Sequence, residues 1–365
     1  MQFRRVCLES FGYTLPDEIV TTAELEQRLS PLYERLRLPE GRLELMTGIR
    51  ERRFFPPGAR PSDISIESAR RAIEASGIDR RMFGALIHGS VCRDFLEPAT
   101  ACRVHHGIDL PAECMIYDVS NACLGLLNGM IQIAGMIELG QIRAGIVVGT
   151  ECGRELVENT IALLNNDHSA TRDSIKHSIA SLTIGSASVA IVLCDEELSR
   201  TGNRLTSAMV HCHTSQHDLC QSRGMETVMQ TDSEELMRQG VAVGAETFSR
   251  FLAVAGWEAS EIGRTFCHQV GVAHRKLLFE SLGLDPTIDF ATLETLGNTG
   301  SAALPITMAL GIESGRLRRG DRVAMLGIGS GINCLMLGAE WQESQIEGVQ
   351  RVAGVEARPS PQGAR

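Results

Sequence analysis

The amino-acid sequence predicts an α/β protein built from two similar halves. Short apolar runs alternate with longer helical stretches along the 365 residues, a pattern typical of buried strands covered by helices. The runs that predict strands are 85–88, 115–119, 144–148 and 187–193 in the first half, and 205–212, 265–269 and 322–327 in the second. The length fits either two domains of ordinary size or one large α/β unit.

A short internal repeat supports the division into halves. Residues 140–145 and the apolar run behind them resemble residues 315–320 and their following run, and each pattern predicts a helix end, a turn and a strand. Cys123 and Asn298 each lie seventeen residues before the first glycine of their segment. If each residue begins its helix, a pseudo-twofold arrangement brings the two toward one central site. Such a brief, turn-rich repeat also arises by coincidence.

The boundary between the halves is expected near residue 200, in the polar stretch 199–204. We therefore predict a first half over residues 1–200, which contains Cys123, and a second half over residues 201–341, which contains Asn298. The remaining segment 342–365 is polar and contains two prolines near its end, so it is expected to be a flexible tail.

Composition and charge argue against several classes of protein. The formal net charge of −10 gives no broad attraction to phosphate backbones, so nucleic acid is not an expected partner. No stretch approaches the roughly 18 apolar residues of a membrane span, and we expect a cytoplasmic protein. Eleven cysteines without paired C-x-x-C spacing argue against a disulfide scaffold, and most of these thiols are expected to fill the core.

One cysteine lies in a context that favours a nucleophile. Cys123 stands between a predicted strand that ends near Val119 and an apolar helix that begins around Cys123 itself. A thiol at a helix N-terminus experiences the positive end of the helix dipole, roughly half a charge, which favours the thiolate. Gly125 and Gly129 would let this helix pack closely at the centre of a domain. Taken alone, Cys123 is equally well explained as a buried structural cysteine.

Three further motifs combine polar side chains with turns. His268 ends an apolar run, where a histidine can present one ring nitrogen to a reacting group. Asn298 lies in a glycine-containing turn before another helix, and its amide donates hydrogen bonds without titrating. Taken singly, both are better explained by ordinary capping or turn formation. The glycine-rich turn 327–333 offers backbone N–H groups for an oxyanion hole or a phosphate, but it lacks the lysine of a P-loop.

In combination, these motifs resemble the β-ketoacyl synthase III branch of the thiolase superfamily. The resemblance covers roughly residues 1–341 and rests on the order of Cys123, His268-Gln269, Gly297-Asn298-Thr299 and Gly329-Ser330-Gly331. Residues 90–98, 121–124 and 326–333 are most similar to the acyl-CoA condensing enzymes of bacterial long-chain olefin biosynthesis. Ordinary synthase III enzymes carry His-Gln-Ala-Asn where this chain has His-Gln-Val, which counts against routine fatty-acid initiation.

The resemblance implies a thiolase fold, in which two pseudo-symmetric α/β halves form a five-layer αβαβα subunit of a homodimer. It implies a non-decarboxylative Claisen condensation of two fatty acyl-CoA thioesters to a 2-alkyl-3-oxo acid. Carried over by position, Cys123 accepts the first acyl group, and His268 and Asn298 orient and stabilise the second thioester. The amides of Cys123 and Ser330 would form the oxyanion hole.

The same resemblance assigns Glu97 as the base, reaching into the site of the neighbouring subunit. A condensation that releases no carbon dioxide needs a group to remove the α-proton, and a desolvated carboxylate with a raised pKa suits this task. Taken alone, Glu97 is better explained as a solvated loop carboxylate before a proline.

The implied substrates are thioesters of coenzyme A or acyl carrier protein, with no permanently bound cofactor. Docking of downstream pathway enzymes stays open. Anionic coenzyme A requires a local basic patch, for which Arg50, Arg52 and Arg53 are candidates.

Three other functions stay open at this point. The first is decarboxylative condensation onto malonyl-ACP, as in ordinary synthase III enzymes, and the second is hydrolysis of acyl thioesters by the same cysteine. The third is a non-catalytic ketosynthase-like subunit that binds a partner, although the joint presence of Cys123, His268 and Asn298 argues against it.

A zinc site is a separate alternative, because one short segment holds enough ligands: His211, Cys212, His213, His217 and Cys220. A strand followed by a loop also produces such a density of histidine and cysteine. We therefore expect no metal.

Overall fold

The computed structural model describes residues 1–222 and 228–343. The β-strands in these residues are β1 (Val6–Thr14), β2 (Glu18–Thr21), β3 (Glu51–Phe54), β4 (Phe83–Gly89), β5 (Met115–Val119), β6 (Ala144–Glu151), β7 (Ala187–Asp195), β8 (Arg204–Cys212), β9 (Cys220–Gln221), β10 (Gln230–Thr231), β11 (Ile262–Cys267), β12 (Arg322–Gly329) and β13 (Asn333–Glu340).

The α-helices in the same residues are α1 (Thr22–Arg28), α2 (Ser30–Leu36), α3 (Arg42–Thr47), α4 (Pro61–Ser76), α5 (Thr100–Gly107), α6 (Gly125–Glu138), α7 (Arg154–Asn166), α8 (Ser233–Ala255), α9 (Val272–Leu282), α10 (Leu293–Leu296) and α11 (Ala303–Glu313). Each strand predicted from the sequence is present, with bounds shifted by up to three residues.

Nine strands hydrogen-bond in the order β11-β12-β13-β8-β1-β7-β6-β4-β5. The two groups of strands meet where β1 and β8 share a single residue pair, Cys7 with Arg204. Outward from this junction, each group has two antiparallel pairings followed by parallel pairing. An isolated parallel bridge between Thr265 and Asp289 lies beside β11, where β5 lies beside β4 in the first group. The two groups therefore repeat one topology.

Helices cover both faces of each group of strands. Successive residues of a strand point to opposite faces, so Val147 of β6 packs into the central core, whereas Ile146 and Val148 pack outward. The central core contains α6 and α11 together with inward-facing residues of both groups. On the outer faces, α4 and α5 pack against the first group, and α8 and α9 pack against the second. These are the five αβαβα layers that the sequence predicts.

The internal repeat seen in the sequence is confirmed by the fold. α6 is followed by Gly140 with φ of 68° and then by β6, and α11 is followed by Gly315 with φ of 67° and then by β12. Positive φ values favour glycine, because the Cβ atom of other residues clashes with the backbone in this conformation. The repeat therefore marks equivalent helix ends in the two halves.

The central helix α6 approaches the neighbouring backbone closely through glycine. A Cβ atom on Gly125, the first residue of α6, would lie 2.9 Å from the carbonyl carbon of Gly89 at the end of β4. A Cβ on Gly89 would lie 2.7 Å from the carbonyl carbon of Gly125. The N-terminal end of α6 is therefore held at the end of β4 by a contact that no other residue type permits.

A smaller layer of helices lies beside the main body. Its core joins α1, α2 and α3 to Phe54 of β3 and to α7, with Leu25, Leu29 and Leu182 fully or almost fully buried. This layer flanks the turn before α11, because backbone hydrogen bonds link Asn298 to Thr183 at 2.9 Å.

The predicted boundary at residue 200 falls between β7 and β8 and stays a prediction. Most of the predicted flexible tail, residues 344–365, lies outside the described residues. Among the described residues, no helix is both long and apolar enough to cross a membrane.

The glycine contact at the start of α6 gives a testable prediction. Gly125→Ala should lower the free energy of unfolding by about 1–3 kcal/mol, because the added methyl group overlaps backbone atoms of Gly89. Gly135→Ala, in the same helix, is the matched control. A Cβ on Gly135 meets no atom within 4 Å, so this change should raise the free energy by about 0.5–1 kcal/mol. Urea unfolding at one protein concentration measures both, and equal effects of the two changes would contradict the packing.

Candidate active site

Cys123 lies in a tight turn between β5 and α6. Ala122 adopts a left-handed conformation with φ of 45°, and the N–H of Leu124 donates to the carbonyl of Asn121 at 2.9 Å. The helix begins at Gly125, two residues later than the sequence predicts, because the left-handed Ala122 and the hydrogen bond from Leu124 to Asn121 keep residues 121–124 in the turn. Cys123 stands at the N-terminal approach to α6.

Burial dominates the electrostatics of the nucleophile candidate. Burial, with smaller contributions from the nearby Cys220 and Glu151, raises the pKa of Cys123 to about 12. In the free protein, the loss of solvation therefore outweighs any stabilisation of the thiolate by the helix dipole. The resting group is a neutral thiol, and its proton must leave during attack on a substrate.

The glycine-rich turn passes directly over Cys123. A Cβ on Gly329 would lie 3.6 Å from the Cβ of Cys123, and Gly331 has φ of 129°, a conformation that requires glycine. The side-chain NH2 of Asn333 donates to the carbonyl of Ser330 and to the side chain of Asn121, both at 3.1 Å. The segment that carries Ser330 is thus fastened to the turn that carries Cys123.

His268 follows β11 and continues its pairing with β12. Its N–H donates to the carbonyl of Leu326 at 3.1 Å, which places it beside the strand that ends at the glycine-rich turn. The side chain is buried, and among the described residues neither ring nitrogen has a hydrogen-bond partner. Burial, with a smaller contribution from His274, lowers the pKa of His268 to about 3. The ring is therefore neutral near pH 7 and carries one N–H donor and one acceptor.

Asn298 is held by its backbone and by its own turn. Its N–H donates to Thr183 and its carbonyl accepts from Gly185, both at 2.9 Å. Its side-chain oxygen accepts from the N–H of Gly300 at 3.0 Å. The amide NH2 is consequently the end of the side chain that can donate to a substrate.

Contacts through Gly89 connect the N-terminal end of α6 with the turn before α11. The hydroxyl of Ser301, just before α11, donates to the carbonyl of Gly89 at 3.0 Å, and Gly89 touches the first residue of α6. The sequence does not reveal the polar residues that link the segments, namely Asn121, Asn128, Glu151 and Asn333. Asn121 and Asn333 lie within the similar stretches 121–124 and 326–333, Asn128 interrupts an apolar helix, and Glu151 ends an apolar strand, but none of these signals indicates a linking role.

Glu97 lies on an exposed segment that precedes α5. Its neighbours Phe95 and Leu96 are 56% and 93% exposed, and Met115 on the edge strand β5 is 54% exposed. The desolvated environment expected for this carboxylate is not provided by its own chain, in which Glu97 is exposed.

The structure also bears on the basic patch and on the zinc site that the sequence suggests. Arg52 of the expected basic patch is buried, with 1% exposure, whereas Arg50 is exposed to solvent and forms an ion pair with Glu294 at 2.6 Å. The zinc alternative receives no support: within residues 1–222 and 228–343, no three His, Cys, Asp or Glu side chains are grouped to hold a metal ion.

The raised pKa of Cys123 gives a testable prediction. The thiolate is the reactive form, so alkylation of Cys123 by iodoacetamide should accelerate about tenfold per pH unit from pH 7 to 9.5 without a plateau. Quantitative peptide mass spectrometry measures the rate at this one cysteine. A plateau below pH 8 would show a stabilised thiolate and contradict the assignment of a neutral resting thiol.

Comparison with known proteins identifies the family. The thiolase N-terminal domain model matches residues 46–160, and the C-terminal domain model of 3-oxoacyl-[acyl-carrier-protein] synthase III matches residues 252–341. An acyl-CoA:acyl-CoA alkyltransferase of Shewanella oneidensis is 42% identical over 352 residues, covering 93% of this chain and 100% of that protein. The Xanthomonas campestris protein of the same description is 33% identical over 341 residues, with the same two coverages.

A solved structure agrees with these relatives. Xanthomonas campestris OleA, crystallised as a cysteine-to-serine variant with bound lauric acid and lauroyl-CoA, superimposes with a TM-score of 0.89 at 32% identity. The match covers 93% of this chain and 100% of that chain, so the thiolase fold is common to both. The chain therefore belongs to the acyl-CoA:acyl-CoA alkyltransferase family of the thiolase superfamily.

Proposed function

We propose that the protein joins two fatty acyl-CoA thioesters by a non-decarboxylative Claisen condensation and releases a 2-alkyl-3-oxo acid, the first step of long-chain olefin biosynthesis. The relatives named acyl-CoA:acyl-CoA alkyltransferase and the OleA structure with lauroyl-CoA support this reaction class. The observation that carries the proposal is the contact of the Cys123 turn with the segment that bears Ser330.

In the first step, the sulfur of Cys123 attacks the carbonyl carbon of an acyl-CoA. The developing oxyanion lies between the backbone amides of Cys123 and Ser330, which are oriented before reaction and need no rearrangement. The carbon–sulfur bond to coenzyme A breaks, and the cysteine proton passes to the departing coenzyme A thiolate. The neutral, buried ring of His268 has a free acceptor nitrogen that can relay this proton.

In the second step, another acyl-CoA binds with its carbonyl oxygen near the ring N–H of His268 and the amide NH2 of Asn298. Glu97 of the partner subunit removes the proton from the carbon next to this carbonyl. The resulting carbanion attacks the acyl carbonyl on Cys123, a carbon–carbon bond forms, and the cysteine thiolate leaves and is reprotonated. Water then hydrolyses the remaining thioester and releases coenzyme A. Covalent capture makes the bond-forming step effectively intramolecular.

A homodimer fits this scheme because, within the described part of one chain, the Glu97 segment is exposed. The exposed apolar side chains of Phe95 and Leu96 next to Glu97, and of Met115 on the edge strand, would be covered by a second copy. The same contact would exclude water from the surroundings of Glu97. The cytoplasmic location and the docking of further pathway enzymes stay predictions.

The proposed function predicts the products of an assay with myristoyl-CoA as sole substrate. The wild-type protein should carry a myristoyl adduct on Cys123 and form 2-dodecyl-3-oxohexadecanoic acid. Cys123→Ala should lose adduct and product, whereas Cys212→Ala, which removes an exposed thiol, should keep both. Glu97→Gln should keep the adduct but form product at least about 100-fold more slowly, as expected for loss of a general base.

Intact-protein and product mass spectrometry measure these outcomes. An adduct that persists in Cys123→Ala would overturn the nucleophile. A product that forms only when malonyl thioester is added, with little effect of Glu97→Gln, would favour decarboxylative condensation. Free myristic acid as the sole product would indicate a thioesterase.

A further inference from the structure

A buried carboxyl group lies between the segments that form the candidate site. Glu151 ends β6 and is 5% exposed, although glutamate rarely lies in a protein interior. One of its oxygens accepts from the N–H of Val91 at 3.1 Å and from the N–H of Ser301 at 3.2 Å, and the Ser301 hydroxyl donates to the same oxygen. The other oxygen accepts a longer contact of 3.4 Å from the N–H of Cys92.

The donors belong to two different parts of the site. Val91 and Cys92 begin the segment that leads to Glu97, and Ser301 follows the turn that contains Asn298. Gly300 packs directly on the same carboxyl group: its φ is 56°, and a Cβ there would lie 3.1 Å from the side-chain carbons of Glu151. A single side chain therefore joins the Glu97 segment to the Asn298 turn.

The hydrogen bonds indicate a holding role rather than proton transfer. A buried polar group is stable only when its hydrogen bonds are made, and these donors come from backbone and from one hydroxyl, not from a substrate. The carboxyl group is thus placed to hold the Glu97 segment and the Asn298 turn in a fixed position relative to each other.

We propose that Glu151 is a positioning residue for the second half of the reaction, and that it couples the two sites of the dimer. This inference rests on the proposed function, in which Asn298 serves the chain's own site and Glu97 serves the site of the partner. Each Glu151 then fixes Asn298 of its own site relative to the Glu97 that serves the site of the partner. Acyl transfer to Cys123 requires neither of these groups, so it does not depend on this link.

Glu151→Gln tests the proposal, because it preserves the shape but turns one acceptor oxygen into an NH2 donor that opposes an N–H group. Two rates are measured on the intact protein with myristoyl-CoA: the burst of coenzyme A that accompanies acylation of Cys123, and the formation of condensed product. The burst should stay within about threefold of wild type. Condensation should fall about 100-fold, the effect expected of a displacement near 1 Å.

A second buried glutamate provides the matched control. Glu9 is 3% exposed and accepts hydrogen bonds from Ser199, Arg200 and Thr201. Glu9 lies next to Leu8, which pairs with Leu193 of β7, and Glu151 pairs with Ala187 of the same strand. These two partners are six residues apart along β7, so the two glutamates are separated by roughly 20 Å. Glu9→Gln should leave the ratio of the two rates unchanged, even if it lowers the unfolding temperature.

Ser301→Ala keeps the carboxyl group of Glu151 and removes one hydroxyl that donates to it. This variant tests the positioning role of Glu151 if Glu151→Gln does not fold. It should lower condensation about tenfold with the burst retained. Equal loss of burst and condensation in these variants, or no loss of either, would overturn the positioning role. A wild-type protein that shows a burst but no condensed product would instead refute the proposed function.

Discussion

The packing of α6 against the end of β4 is the constraint on which the candidate site depends. Gly89 and Gly125 meet backbone to backbone, and this contact fixes where the helix begins and where the preceding turn must lie. Cys123 is in that turn, and the glycine-rich turn after β12 is pressed against it through Gly329. The position of the sulfur atom is therefore set by main-chain contacts of the central layer, which are stiffer than side-chain contacts.

The same central position determines the chemistry. Burial keeps the thiol of Cys123 and the imidazole of His268 neutral, because charged forms lose more solvation than their surroundings restore. A free protein with this arrangement does not hold a permanently reactive thiolate. In the proposed reaction, the negative charge develops on the oxygen of the substrate thioester, and the backbone amides of the two turns donate hydrogen bonds to it. This dependence would protect the cysteine from unproductive reactions between turnovers.

The sequence predicts the features that have a local cause. The helix–glycine–strand repeat is visible because Gly140 and Gly315 adopt positive φ, and the strand before Cys123 is visible as an apolar run. The strands β1 and β13 were not predicted. β1 contains Glu9, whose burial depends on donors almost two hundred residues away. Arg52 is likewise buried by long-range packing, so its local resemblance to a basic patch was misleading.

In the candidate site, too, some features have a local sequence signal and others depend on long-range contacts. The order of the motifs, and the family resemblance it carries, selects Cys123, His268, Asn298 and Ser330 as candidates, whereas the groups that connect their segments cannot be found from local pattern. Glu151 contacts Val91 and Ser301, which lie sixty residues before it and one hundred and fifty after it. The start of α6 was predicted two residues early, since the left-handed turn at Ala122 leaves no trace in residue type.

The most direct measurement is a crystal structure of the protein after exposure to a long-chain acyl-CoA. The account predicts continuous electron density from the sulfur of Cys123 into an acyl chain, with the thioester oxygen about 3 Å from the amides of Cys123 and Ser330. His268 and Asn298 should face the open side of that thioester. An unmodified sulfur that points into the core, far from the ring of His268 and the amide of Asn298, would contradict the account.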